Sequence, residues 1–167
     1  TTTWGKKASH YMLSAEADAF VCIETHVKNG PALRKAQALC NRNGWAAHCG
    51  PAEQSRTSCA GSYGGVFAAL RKHLQHAPIA TAKRVGAKAW QNKSAYATGF
   101  QFNLGKRPVT IMGGYCRGGA PEAVLKEVAA VTAGGRRAFI LAADFNQSPQ
   151  QLAKNPLLAN LGAAVVS

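Results

Sequence analysis

Apolar residues recur at two different spacings along the chain, and each spacing predicts a different kind of element. Short continuous apolar runs predict buried strands at residues 19–24, 45–48, 65–70, 96–102, 108–116 and 138–143, with a last short strand at 163–166. Apolar residues at helical spacing, with proline near the start or glycine past the end, predict helices at 6–17, 31–43, 121–132 and 148–154. Helices and strands thus alternate, as in an α/β fold.

The segments between these elements are predicted as turns and loops. Residues 49–63 are rich in glycine, serine and threonine and predict a surface loop, and residues 81–93 predict a basic loop. The strands on either side of residues 104–107 are close enough in sequence to form a hairpin.

The composition indicates one compact unit. The chain has 167 residues, 47% of them hydrophobic, which suits a single domain over residues 1–167. No apolar run approaches the ~18 residues of a membrane helix, which argues against a transmembrane protein and a membrane partner. The five cysteines suggest neither a disulfide framework nor a zinc site, so an intracellular location is favoured. Because the chain starts without methionine, we expect a piece of a longer protein.

The charge balance points to a polyanionic partner. Twenty lysines and arginines against seven aspartates and glutamates give a net charge of +13, which favours nucleic acid, although a generic basic surface is the alternative. The candidate nucleic-acid contacts are Arg71, Lys72, Lys83, Arg84 and Lys88. Trp90 either stacks on a base beside them or packs in the core. The pairs 106–107 and 136–137 are interpreted as solvated turn residues.

Two buried strands end in a carboxylate. Glu24 follows the first apolar strand and Asp144 follows the strand at 138–143, and Asn146 lies two residues further on. Strand ends present charges to a cleft in layered α/β folds, and two carboxylates can share a divalent cation. For either residue alone, the start of a solvated loop is the favoured interpretation. Together with the basic chain they suggest an anionic substrate held near a cation.

Four motifs in this order resemble the endonuclease/exonuclease/phosphatase superfamily, whose fold is DNase I-like. Residues 17–26 (ADAFVCIETH) are similar to its strand ending in Glu-Thr-His, and residues 64–66 (GGV) to its glycine-led strand. Gly114-Tyr115 is similar to its strand ending in tyrosine, and residues 143–146 (ADFN) to its Gly-Asp-Phe-Asn motif. The four motifs cover most of the chain.

This resemblance implies an α/β, DNase I-like two-sheet sandwich flanked by helices and incomplete at the termini. It also implies metal-dependent cleavage of phosphate esters, with Glu24 as the ligand of Mg²⁺ (or Mn²⁺). Asp144 would position or deprotonate the attacking water, Asn146 would hold the scissile phosphate, and Tyr115 would contact that phosphate. Without the resemblance, a strand aromatic that fills the core is the preferred interpretation of Tyr115.

The chain departs from the family pattern in three places. It lacks the first-strand asparagine and the C-terminal Ser-Asp-His segment, and Ala143 replaces the usual glycine. The first functional hypothesis is a Mg²⁺-dependent phosphodiesterase or endonuclease acting on nucleic acid. The alternatives are a nucleic-acid-binding domain of the same fold without turnover, and a phosphoester phosphatase.

Overall fold

The computed structural model describes residues 10–11, 14, 16–54, 61–79, 95–116 and 121–166. Within these ranges the strands are β1 (Ala19–Ile23), β2 (Trp45–Gly50), β3 (Glu53–Gln54), β4 (Ser62–Tyr63), β5 (Val66–Arg71), β6 (His76–Ile79), β7 (Ala95–Leu104), β8 (Arg107–Cys116) and β9 (Ala138–Asp144). The helices are α1 (Pro31–Arg42), α2 (Glu122–Val131), α3 (Pro149–Ala153) and α4 (Pro156–Asn160).

The strands form two main sheets that pack face to face. The first sheet has the order β1-β5-β2 and is antiparallel, and the second has the order β6-β7-β8-β9, with β8 and β9 parallel. Gly113 lies on β8 and faces the first sheet. A Cβ added to Gly113 would overlap the Val66 side chain on β5 and would lie 2.7 Å from Cγ1 of Val21 on β1. The backbone of the second sheet therefore approaches the first sheet closely, and the predicted two-sheet sandwich is confirmed.

Helices cover the outer face of each sheet. Ala36 and Cys40 of α1 pack with Trp45 and Phe67 on the first sheet. Helix α2 contributes Val124, Leu125 and Val128 to a second cluster, in which residues of α3 and α4 also pack against the second sheet. The layers are therefore helix, sheet, sheet and helix, and the prediction of flanking helices is confirmed.

Local signals set the helix boundaries. Pro31 begins α1, where the missing amide hydrogen of proline has no intrahelical partner to lose. Ser148 caps α3, because its hydroxyl accepts from the N–H of Gln151 and the Gln151 side chain bonds back to the backbone of Ser148. The hairpin predicted around residues 104–107 forms between β7 and β8.

Three expectations of local structure were wrong. The predicted loop 49–63 contains the end of β2 and the β3-β4 pair, which the Tyr63 hydroxyl strengthens by donating to Glu53 at 2.6 Å. Residues 163–166 are not a strand but follow helix α4. The Asn155 side chain caps the start of α4 by accepting from the N–H of Leu157 at 3.0 Å. Strand β6 was missed because Pro78 interrupts its pattern, which an edge strand tolerates.

Other predictions lie largely or wholly outside the described residues. The helix at 6–17 is described only at a few positions, and the basic loop at 81–93 is not described. In the part of the chain that the structure does describe, no helix is long and apolar enough to cross a membrane.

Candidate active site

Tyr115 and Asp144 are neighbours on the parallel ladder between β8 and β9. The register pairs them directly, just as it pairs Gly113 with Ala142. Because side chains alternate along a strand and Gly113 faces the first sheet, Tyr115 and Asp144 also point into the space between the sheets. Tyr115 is 5% exposed, so its ring fills the end of the core while it stands beside the Asp144 carboxylate.

Asn146 is held against this pair by two hydrogen bonds. Its backbone N–H donates to Oδ1 of Asp144 at 2.8 Å, and its side-chain Nδ2 donates to the carbonyl oxygen of Cys116 at 2.9 Å. The residue adopts a φ of 50°, in the left-handed region that asparagine tolerates better than most residues. Asp144 and Asn146 therefore form one fixed unit at the end of the β8-β9 ladder.

Glu24 comes to the same end of the sandwich from the other sheet. It directly follows Ile23, the last residue of β1, and its side chain is exposed. Ile23 and Asp144 line one cavity of about 910 Å³, with Gln147 also in its wall. The structure thus brings the end of β1, which carries Glu24, to the cavity that contains Asp144.

A hydrogen-bonded clasp holds the turn that follows Glu24. Glu24 and His26 have φ values of 56° and 55°, which cost L-residues energy. The His26 N–H donates to Gly64 at 2.9 Å, its ring Nδ1 lies 2.8 Å from the Ser62 carbonyl oxygen, and the Ser62 hydroxyl donates to the His26 carbonyl at 3.0 Å.

Gly65 completes the clasp. The Thr25 N–H donates to the Gly65 carbonyl at 3.1 Å, and a Cβ on Gly65 would overlap Oγ1 of Thr25. Sequence reasoning missed the roles of Thr25 and Ser62. The Gly64-Gly65 pair was the available signal, since paired glycines mark a backbone that another segment approaches closely.

The cysteine beside the site is held in its neutral form. The pKa of the Cys116 thiol is raised to about 12, chiefly by burial and also by the nearby carboxylates of Glu122 and Asp144, while a backbone hydrogen bond at Val124 lowers it. Since the thiolate is the nucleophilic form of cysteine, Cys116 is unsuited to attack a substrate. The chemistry of the site therefore belongs to its oxygen and amide groups.

The donor set suits a hard divalent cation. Among the described residues, no group of three or more His, Cys, Asp or Glu side chains is arranged to hold a metal ion. Magnesium, however, is commonly bound by one or two carboxylates while water and substrate phosphates fill its other positions. Glu24, which follows the cavity-lining residue Ile23, and Asp144 are oxygen donors of this kind.

The structure places two predicted nucleic-acid contacts away from this site. Arg71 ends β5, whose first residue, Val66, pairs with Ile23, so the two ends of β5 are about 17 Å apart. The Arg71 guanidinium lies 4.0 Å from the centre of the Trp45 ring, and Nζ of Lys72 donates to the Asn41 carbonyl at 2.8 Å. Lys83, Arg84, Lys88 and Trp90 lie outside the described residues.

Comparison with solved structures identifies the architecture. The catalytic domain of human Nocturnin, solved with a bound sulfate, superposes with a TM-score of 0.60 at 17% identity, over 92% of this chain and 59% of that domain. An endonuclease/exonuclease/phosphatase family protein from Bacteroides thetaiotaomicron gives 0.51 at 13% identity, over 84% and 54%. The chain has the endonuclease/exonuclease/phosphatase fold. A third match with this fold is ANGEL2, a 2',3'-cyclic phosphatase solved with adenosine-2',3'-vanadate, at a TM-score of 0.55 and 12% identity, over 86% and 43%.

The similarity to known proteins appears when structures are compared and not when whole sequences are compared. The sequence matches no protein-family model and no curated protein. The chain spans less than two thirds of the length of each of these three solved structures.

Ala143 stands where the family pattern has glycine, and the structure shows why alanine fits there. On the neighbouring strand, a Cβ added to Gly114 would lie 3.1 Å from the Ala143 Cβ and 2.8 Å from Cγ1 of Val124. The glycine on β8 therefore leaves room for the methyl group on β9. Alanine at this position is compatible with the fold.

Proposed function

We propose that this chain carries the core of a divalent-metal-dependent phosphodiesterase that cleaves nucleic acid. The observation that carries the proposal is the position of Tyr115 beside the fixed unit of Asp144 and Asn146 at the end of β8 and β9, where Asp144 and Ile23 of β1 line one cavity. Fold alone does not define an activity, so the argument rests on these side chains. The similarity to phosphoester-processing enzymes supports the general class of hydrolase.

Each side chain has a defined task in this proposal. Asp144 accepts the proton of the water that attacks phosphorus, while the bond from phosphorus to the leaving oxygen breaks. An amide nitrogen carries two hydrogens, so Asn146 can keep its bond to Cys116 and donate a second one to a phosphate oxygen. The Tyr115 hydroxyl would contact the same phosphate. Glu24 would hold the cation, which neutralises phosphate charge when it is bound.

The choice of nucleic acid as substrate rests on charge. A net charge of +13 on 167 residues favours a long polyanion over a small phosphorylated molecule. A specific observation also favours a second candidate, a phosphatase of nucleotide ends, because ANGEL2 has the same fold and is a 2',3'-cyclic phosphatase. Both candidates use the same site residues and differ in the length of the substrate.

The decisive experiment is plasmid nicking with Mg²⁺ or with EDTA. We expect EDTA-sensitive nicking by the wild-type chain, and a loss of about 100-fold or more in Glu24→Ala and Asp144→Asn, the size expected for removing a catalytic acid-base group. Glu16→Ala is the matched control, because Glu16 is an exposed carboxylate before the start of β1, at the opposite end of the first sheet. All variants should keep the wild-type circular dichroism spectrum.

Three results would contradict the assignment. Equal nicking by wild type, Glu24→Ala and Asp144→Asn would show that the activity does not use this site. A folded chain that binds DNA but shows no EDTA-sensitive nicking would favour the nucleic-acid-binding domain without turnover. Hydrolysis of a cyclic nucleotide without nicking would favour the phosphatase.

A further inference from the structure

Two basic turns that are distant in sequence lie side by side at the end of the second sheet opposite the candidate active site. The parallel ladder of β8 and β9 begins with Val109 opposite Ala138. The residues just before these two are therefore neighbours across the sheet, where adjacent strands are about 5 Å apart. We call this cluster the basic turns; it consists of Lys106, Arg107, Arg136 and Arg137.

The basic turns are exposed and free of carboxylate partners. All four side chains are exposed, and no carboxylate in the described ranges forms an ion pair with any of them. Within the described ranges, an ion pair joins His73 and Asp18, which do not belong to the basic turns. The positive charge of the basic turns is therefore available to an external anion.

The backbone of both turns is held in place. Leu104 pairs with Arg107 at the start of the β7-β8 hairpin. In the other turn the Arg137 N–H donates to the Thr132 carbonyl at 3.1 Å, and the Gly135 N–H donates to the Thr132 hydroxyl at 3.2 Å. Because these hydrogen bonds order the backbone in advance, a bound anion does not have to order it.

We propose that the basic turns are a second nucleic-acid-binding surface, which holds the phosphate backbone of a long substrate away from the bond that is cleaved. This inference rests on the proposed function and narrows its substrate to a polymer. The seven residues of β9 separate the basic turns from Asp144 by about 20 Å. A mononucleotide or a phosphorylated sugar in the active site cannot reach them, whereas a strand several nucleotides longer can.

A phosphate backbone fits the basic turns better than a lipid surface does. Leu104 is 69% exposed and belongs to the same hairpin turn, so an anionic membrane is the competing partner. A protein surface that inserts at a membrane interface presents a continuous apolar face beside its cations. The turn offers a single exposed leucine, and charge dominates the cluster.

The test measures binding in EDTA, where cleavage cannot contribute. The probe is a fluorescent DNA duplex of about 40 base pairs, titrated at several salt concentrations because each phosphate contact adds to the salt dependence of binding. One variant replaces all four residues of the basic turns with alanine, and a second replaces only Lys106 and Arg107. The matched control also removes four exposed cations, by alanine at Arg34, Lys35, Lys126 and Lys154.

We expect the four-residue variant to bind the duplex about tenfold or more weakly than the control variant, with a salt slope smaller by about 2 or more. The two-residue variant should lie between the four-residue variant and wild type. Equal loss in the control would overturn the inference, because the effect would then be one of net charge. Loss of binding to phosphatidylserine vesicles with unchanged DNA binding would overturn it in favour of a membrane.

The result is separable from the proposed function. If the chain does not nick DNA but the basic turns are required for binding, the proposed function fails and this inference stands. If nicking depends on Glu24 but binding does not depend on the basic turns, the inference fails and the proposed function stands.

Discussion

The two ends of the sandwich are built from the same strands but carry opposite features. At the end with the candidate active site, Glu24, His26 and Asn146 adopt positive φ values, and Asp144 faces a cavity. At the other end lie Arg71 and the basic turns, together with the carboxylate of Glu16 and with Ala133, whose φ is 53°. Three of the four described non-glycine residues with positive φ therefore lie at one end, and the exposed cations of the basic turns lie at the other.

This difference shows how a small domain can separate binding from chemistry. A cation needs only an exposed side chain to attract a polyanion, so it can be placed on ordinary turns. A residue that acts on one atom needs a fixed position, and the surrounding structure must hold its backbone in place. Here the hydrogen bonds of Ser62 and Gly64 to His26 supply that support.

A matched pair of glycine substitutions would test this difference with the largest effect. Gly65 at the site end and Gly135 at the basic end both have positive φ, of 91° and 85°, and both lack room for a Cβ. We expect Gly65→Ala and Gly135→Ala each to lower the free energy of unfolding by about 2 to 4 kcal/mol, measured in urea. Gly65→Ala alone should also lower the rate of cleavage per folded molecule, because the added methyl displaces Thr25 beside Glu24. A similar loss of rate in Gly135→Ala would mean that the two ends are not independent.

Buried thiols at the two ends should respond alike to alkaline pH. Burial raises the pKa of Cys40, in the last turns of α1, to about 11, and that of Cys116 to about 12, from an ordinary value of 9.0. Both groups stay neutral in the folded state, so their contribution to stability is complete below pH 9 and is lost as pH rises towards 11 and 12.

The measurement is urea unfolding between pH 8 and pH 11. The stability of Cys40→Ala and of Cys116→Ala should fall less steeply with pH than that of the wild-type chain. Parallel curves for all three proteins would show that these thiols are not the titrating groups. If the stability of only one variant falls less steeply with pH than that of wild type, only the cysteine replaced in that variant titrates in this range.

The smallest effect is expected between the two ends, in the middle of the sandwich. The Thr98 side chain is fully buried on β7, and its hydroxyl has no hydrogen-bond partner among the described residues. Thr98→Val removes this unsatisfied group at nearly constant volume, so we expect the free energy of unfolding to rise by about 1 kcal/mol. Thermal unfolding at neutral pH measures this change in stability, and the rate of cleavage should stay the same. A destabilised valine variant would indicate that the hydroxyl has a partner, such as a buried water.

The sequence predicted the strands that support the site because they are short apolar runs with clear boundaries. Ile23 and Asp144 each lie at the end of such a run, and both strand ends came out within a residue of the expected position. The two-sheet arrangement itself was implied by the four family-like motifs rather than by periodicity. The helix that became α3 was also predicted, because proline near the start of a helix is a local signal.

Features that depend on contacts between distant segments could not be predicted. Nothing in residues 24–26 alone indicates that Ser62 and Gly64 will hold them. Likewise, Arg107 and Arg136 were read as separate solvated turn residues, and only the register of β8 and β9 makes them neighbours. The wrong strand at 163–166 shows the related limit that a short apolar run also suits an extended tail packed on a core.

The parallel pairing of β8 with β9 also has a consequence for how the molecule is made. The connection between parallel strands must cross over the sheet, here through α2, so Tyr115 and Asp144 meet only through a non-local contact. In the order of the chain, the strands of the β1-β5 and β7-β8 pairs all precede β9. Most of the scaffold can therefore pair before β9 docks, and only that last docking brings Asp144 beside Tyr115.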